Sequence, residues 1–178
     1  MLFKKNEINS CDNNIKSILK IRNLLLIFIF IIPKTNLHDV INSNYSFVTL
    51  KVSGQGYKKV FYDKNCSRYM FTRPNEVYIN ETKQDKVHHS YDLNSGDIVK
   101  LVWNETIMGC GCMFQSCDSI IEINFTNFDT SQSKYMNYMF TNCKSLKSLD
   151  LSSFNTNNVE VMNDMFGDCH SLISLTMT

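Results

Sequence analysis

No phosphate-cradling glycine loop, His-Glu-x-x-His pair or Gly-x-Ser-x-Gly elbow occurs anywhere in the 178 residues, which include only six glycines. The motif-borne forms of phosphate, zinc-protease and serine-hydrolase chemistry are therefore absent. An excess of one charge is missing too. The net charge is +1, and residues 1–34 hold six Lys/Arg against two Asp/Glu, leaving 12 basic and 15 acidic side chains beyond them. That residual acidity has the wrong sign for an electrostatic nucleic-acid binder, so no nucleic-acid partner is expected. Long apolar runs are also lacking. The run Leu24 to Ile32 covers roughly 14 Å as a helix, against a hydrocarbon core of about 30 Å. No second apolar segment follows Pro33.

What the N-terminus does contain fits export. Lys16, Lys20 and Arg22 precede the apolar run, in the order of a signal-peptide n-region and h-region. Residues 1–36 are expected to be a signal peptide or, since no A-x-A-like cleavage site follows, an uncleaved signal anchor. The expected location is secreted or cell-surface, and the membrane is met only through this segment if it stays uncleaved. Five N-x-S/T sequons, at Asn44, Asn65, Asn80, Asn104 and Asn124, are glycosylation candidates in such a compartment.

Residues 107–178 repeat with a period of 26 and no gaps. The step aligns Met113 with Met139 and Met165, Phe114 with Phe140 and Phe166, and Cys117 with Cys143 and Cys169. It also aligns Ile120, Leu146 and Leu172, then Ile123, Leu149 and Leu175, then Phe125, Leu151 and Met177. Met136, Met139, Phe140 and Cys143 follow the i, i+3, i+4, i+7 spacing of one helix face. Leu149 and Leu151 then alternate as in a strand. Each unit is thus expected to be helix, turn, short strand and loop, with Thr130 as a helix N-cap. Such a unit cannot bury its apolar side alone and stacks on its neighbours. The units are 107–132, 133–158 and 159–178, the last holding 20 of its 26 positions. An incomplete last unit predicts a truncated chain, a fragment, or self-association through the open C-terminal repeat.

The pattern MFxxCxSLxxLDLSSFNT resembles the BspA-like leucine-rich repeat, the 26-residue repeat of bacterial surface proteins. The resemblance implies an extracellular solenoid used in adhesion or recognition, and brings no enzyme activity with it.

Residues 41–106 have a different texture. YSFVTLKV, KKVFYD, RYMFT, EVYI and DIVKLVW read as strands, separated by turns such as Gly54-Gln55-Gly56 and Asn94-Ser95-Gly96-Asp97. EVYINETKQDKV reads as a hairpin with Asn80-Glu81 near its tip. A small antiparallel domain of four to six strands is expected, capping the first repeat with Trp103 near the junction. The fold class expected is therefore α+β: this β domain followed by a leucine-rich-repeat-like helix/strand solenoid of about 2.8 repeats.

Function has to be sought on the surface. Between the core positions of the repeat strands lie Glu122 and Asn124, Ser148 and Asp150, and Ser174 and Thr176, six outward positions that form the candidate binding face. The partner expected is a protein or glycan on a cell surface; the other reading is a structural module that self-associates. Without Cys11 six cysteines remain, allowing 15 pairings. The column Cys117, Cys143, Cys169 reads as buried filler. Cys112 shares its column with Tyr138 and Asp164, a polar-tolerant position, and is the disulfide candidate together with Cys66. Cys110-x-Cys112 with His88 and His89 matches no established zinc spacing, and no catalytic residue, metal or cofactor is expected.

Overall fold

The computed structural model describes residues 45–62 and 71–177, and every regular element among them is a β-strand. The targeting segment 1–36, the sequons at Asn44 and Asn65, and Cys66 lie outside the described residues. No helix among the described residues is long and apolar enough to cross a membrane.

Strand β1 (Ser46–Val52) buries Val48, Leu50 and Val52 and leaves the residues between them partly or fully exposed. That period of two is the signature of a strand with one face on a core. Its antiparallel neighbour β6 (Ile98–Trp103) sets Val99 opposite Leu50 and Leu101 opposite Val48. Around this pair a five-stranded antiparallel sheet runs in the order β4-β3-β6-β1-β7. It is completed by β3 (Glu76–Ile79), β4 (Thr82–Lys83) and β7 (Ile120–Asn127). Asn80 and Glu81, at φ 47° and 70°, form the two-residue tip joining β3 to β4. Positive φ at both positions is what a type I′ hairpin requires. A separate antiparallel pair joins β2 (Gly56–Lys59) to β5 (Ser90–Leu93), and β8 (Ser148–Asp150) runs parallel to β9 (Ser174–Thr176).

Strand β7 belongs to the first 26-residue unit, yet it pairs with β1 at the sheet edge. The β-rich region therefore shares a sheet with the first repeat unit and one core with the repeats, and residues Asn44–Thr178 cluster as a single compact unit. Trp103 is fully buried there, its ring 5.2 Å from Phe128 and its indole N–H donated to the Thr72 carbonyl at 2.8 Å.

The α+β class and the helix/strand solenoid expected from the repeat are overturned: the described residues contain no α-helix, and the fold is all-β. Left-handed residues recur at Cys112, Tyr138 and Asp164, and again at Ser116, Asn142 and Asp168, with φ between 51° and 62°. Two such residues four positions apart break any right-handed helix. The apolar i, i+3, i+4, i+7 spacing is instead met by overlapping tight turns, closed by Met139 N–H to the Met136 carbonyl, Thr141 to Tyr138 and Cys143 to Phe140. Alternate N–H groups leave the unit altogether. Cys112, Phe114 and Ser116 donate to the carbonyls of Asn137, Met139 and Thr141 in the next unit, at 2.8–2.9 Å. Tyr138, Phe140 and Asn142 donate in the same way to Asn163, Met165 and Gly167. An α-helix keeps these donors within itself; here they tie unit to unit. Thr130 is accordingly no N-cap. Its buried hydroxyl donates to the Asn155 carbonyl at 3.1 Å and accepts the Asn155 N–H at 2.9 Å, bridging two units.

Side chains continue the same ladder. Phe114, Phe140 and Phe166 stack with centroids 5.8 Å apart and planes within 10° and 3° of parallel. At the N-terminal end, Tyr62 N–H donates to the Met113 carbonyl at 2.9 Å and Thr72 N–H to the Gly109 carbonyl at 3.2 Å.

Candidate binding face

Strands β7 and β8 each turn one set of side chains into the core and the other outward, while all three residues of β9 are exposed. Ile123, Phe125 and Leu149 are buried, whereas Glu122, Asn124, Ser148 and Asp150 are exposed. Because successive units are in register, the outward sets line up. Glu122, Asn124, Ser148, Asp150, Ser174 and Thr176 all line one open depression of about 500 Å³. The sequence-predicted face is thus brought together, from three different units. Sequence reasoning missed Thr126, Ser152 and Ser153 at its border. The signal was present, since the 26-step pairs Thr126 with Ser152.

The lining is polar and weakly acidic. Asp150 accepts the Ser152 N–H at 2.9 Å, and the Ser152 hydroxyl and N–H hold its carboxyl below the ordinary aspartate range. It is therefore ionised at neutral pH and held in place by the turn that follows it. Asn124 directs its carbonyl oxygen to the Thr126 N–H at 2.8 Å and hydroxyl at 2.6 Å. The sequon residue Asn124 itself lines the depression. The sequon residues Asn80 and Asn104 are exposed elsewhere, Asn80 with its amide on the Asp97 carboxylate at 2.9 Å.

The cysteines divide by environment. Cys112 is disulfide-bonded; Cys110, Cys117, Cys143 and Cys169 are free thiols, and Cys11 and Cys66 lie outside the described residues. Burial pushes the Cys110 and Cys143 thiols up to about 12, and Cys117 well above its usual value. Cys143 and Cys169 point their sulfurs at the carbonyls of Phe114 and Phe140, 3.1 and 3.0 Å away, so the thiol column packs between units. Among the described residues, no three His, Cys, Asp or Glu side chains are grouped to hold a metal.

Residues 85–175, from the loop before β5 into β9, match the family model described as "Mycoplasma protein of unknown function, DUF285". The chain belongs to the DUF285 family. The match takes in β5 and β6 as well as the 26-residue units, so part of the antiparallel sheet of this DUF285 chain falls inside it. No curated protein and no solved structure matches the chain.

Proposed function

We propose that this DUF285 protein is a non-enzymatic adhesion or recognition protein, secreted or held at the cell surface, that binds a protein or glycan through the depression over β7, β8 and β9. The observation that carries the reading is the convergence of six outward side chains from three sequence units on one open, ordered surface. An open, mainly polar depression suits a macromolecule's surface more than a small molecule, which favours an enclosed, largely apolar site. The unit's resemblance to the BspA-like surface-protein repeat supports an extracellular role, as does the disulfide at Cys112. A non-enzymatic role is supported by the state of four described cysteines: Cys112 is oxidised, and Cys110, Cys117 and Cys143 are buried and held protonated where a nucleophile would need an accessible thiolate.

The deciding experiment is saturable binding of the purified chain to intact cells. Glu122→Lys with Asp150→Lys reverses the charge of the face at two exposed positions. Binding should fall at least tenfold under conditions where urea titration shows both chains fully folded, the variant's midpoint being lowered only by loss of the Asp150 bond to the Ser152 N–H. Equal binding by the double variant places the contact elsewhere and overturns the reading.

A further inference from the structure

The outward face of the repeats continues onto the antiparallel sheet. Because β7 pairs with β1 and β1 with β6, residues opposite one another project from the same side of that sheet. One cross-strand row runs Tyr78, Lys100, Thr49, Asn124, and a neighbouring row runs Ile98, Lys51, Glu122. Burial agrees with this register. Leu50 and Ile123, on the opposite side, are 0% and 5% exposed, whereas Lys51 and Glu122 both stand in solvent. Glu122 and Asn124 line the depression. Thr49 and Lys51 therefore stand beside it, one strand spacing of about 5 Å away.

The charges on this continuous face are sorted by sign. Strand β6 contributes Lys100 and β1 contributes Lys51, and neither strand contains an acidic residue. Strand β7 contributes Glu122 and β8 contributes Asp150, and neither contains a basic residue. At the far edge Glu76 and Lys83 are joined in an ion pair of 2.6 Å, so β3 and β4 add no net charge. The outer members of the series are held in place. The Lys100 ammonium lies 4.2 Å from the Phe47 ring centroid and 6.0 Å from that of Tyr78, and Asp150 accepts the Ser152 N–H at 2.9 Å. The inner members, Lys51 and Glu122, are side by side, but no ion pair joins them among the described residues.

We infer that the binding face extends from the repeats onto β1 and β6, and that its partner is a protein surface of mixed charge. That surface sets acidic side chains over Lys51 and Lys100 and basic ones over Glu122 and Asp150. The inference rests on the adhesive reading and narrows its partner to one class. Charge complementarity makes the choice. A neutral glycan leaves all four charges uncompensated, and a uniformly acidic one meets repulsion at Glu122 and Asp150. A polypeptide surface carries both signs within a few strand spacings. Docking in the reverse orientation sets like charges together on both halves, so the sorting also fixes the partner's orientation. Lys51, at the boundary between the halves, is the specificity-determining residue that lies outside the repeats.

The test measures saturable binding of the full chain to intact cells that have been treated with trypsin or with periodate and then washed. Trypsin should abolish binding, and periodate, which oxidises glycans, should leave it in place. Lys51→Gln should weaken binding about threefold and Lys51→Glu roughly tenfold or more, with both variants folded by tryptophan emission. Binding by Lys51→Glu equal to that of the parent overturns the inference. So does binding that periodate abolishes and trypsin spares, since the partner is then a glycan. If either result accompanies the loss expected for Glu122→Lys with Asp150→Lys, the adhesive reading stands and only this inference falls. Absence of saturable binding by the parent chain overturns both.

Discussion

Single side chains in this fold are tuned mainly by burial and by neighbouring amides. The thiols of Cys110, Cys117 and Cys143 are buried and pushed far from their reactive form, while Cys169 is only partly covered. Alkylation of the folded protein near pH 8, read by peptide mass, should therefore label Cys169 first among the described free thiols. Cys110, Cys117 and Cys143 should stay unlabelled until denaturant is added. Early labelling of Cys143 would remove it from the core. Asp97 illustrates the opposite shift. The Asn94 N–H and the Asn80 amide hold its carboxyl below the ordinary value. A depressed folded pKa contributes stability above the unfolded value of about 3.9, and the contribution is lost as pH falls through the folded value. Asp97→Asn should therefore lower the urea midpoint at pH 7, with the gap from the parent narrowing only as pH falls below the unfolded value of about 3.9. The division of the cysteines had a sequence signature. The thiol column is visible as a 26-residue recurrence, and Cys112 stands apart because Tyr138 and Asp164 share its column.

Elements were legible where a period has one structural meaning and illegible where it has two. Alternation in YSFVTLKV and DIVKLVW became β1 and β6 directly. Met136, Met139, Phe140 and Cys143 lie one turn of helix apart, but coils of tight turns place the same residues inward. The discriminating clue was backbone handedness at Tyr138 and Asn142, and a tyrosine gives no warning of positive φ. The β3–β4 hairpin was easier, since Asn80 is an ordinary occupant of the left-handed region. Glu81, at φ 70°, is not. Glu81→Gly removes that strain and leaves Asn80 bonded to Asp97 and to the Ile98 N–H. It should stabilise the protein by up to about 1 kcal/mol in urea titration. A loss of stability would mean that the Glu81 side chain matters more than its backbone.

At the level of the whole molecule, the division into a β-rich region and a repeat region was visible in texture, but their fusion was not. Nothing local in IIEINFTN says that it will bond to a strand more than seventy residues upstream, because sheet pairing at that distance is settled by tertiary packing. A fragment of residues 107–177 loses β1 from beside β7 and loses the bonds that Tyr62 and Thr72 donate to the Met113 and Gly109 carbonyls. It should show no cooperative unfolding transition, whereas residues 45–178 should, with emission of the sole tryptophan shifting red as Trp103 leaves the core. Cooperative melting of the shorter fragment would make the two regions separable. The strict recurrence of the inter-unit bonds also bears on how such chains vary. Removing residues 133–158 joins the first unit to the third with every column intact: Phe114 meets Phe166, Cys117 meets Cys169 and Ile123 meets Leu175. Removing one residue more or fewer sets core columns against solvent-facing ones along the whole remaining stack. Length in this architecture is therefore quantised, and its natural mutation is the gain or loss of 78 bases of coding sequence, about the unit of 26 codons, rather than the drift of a loop.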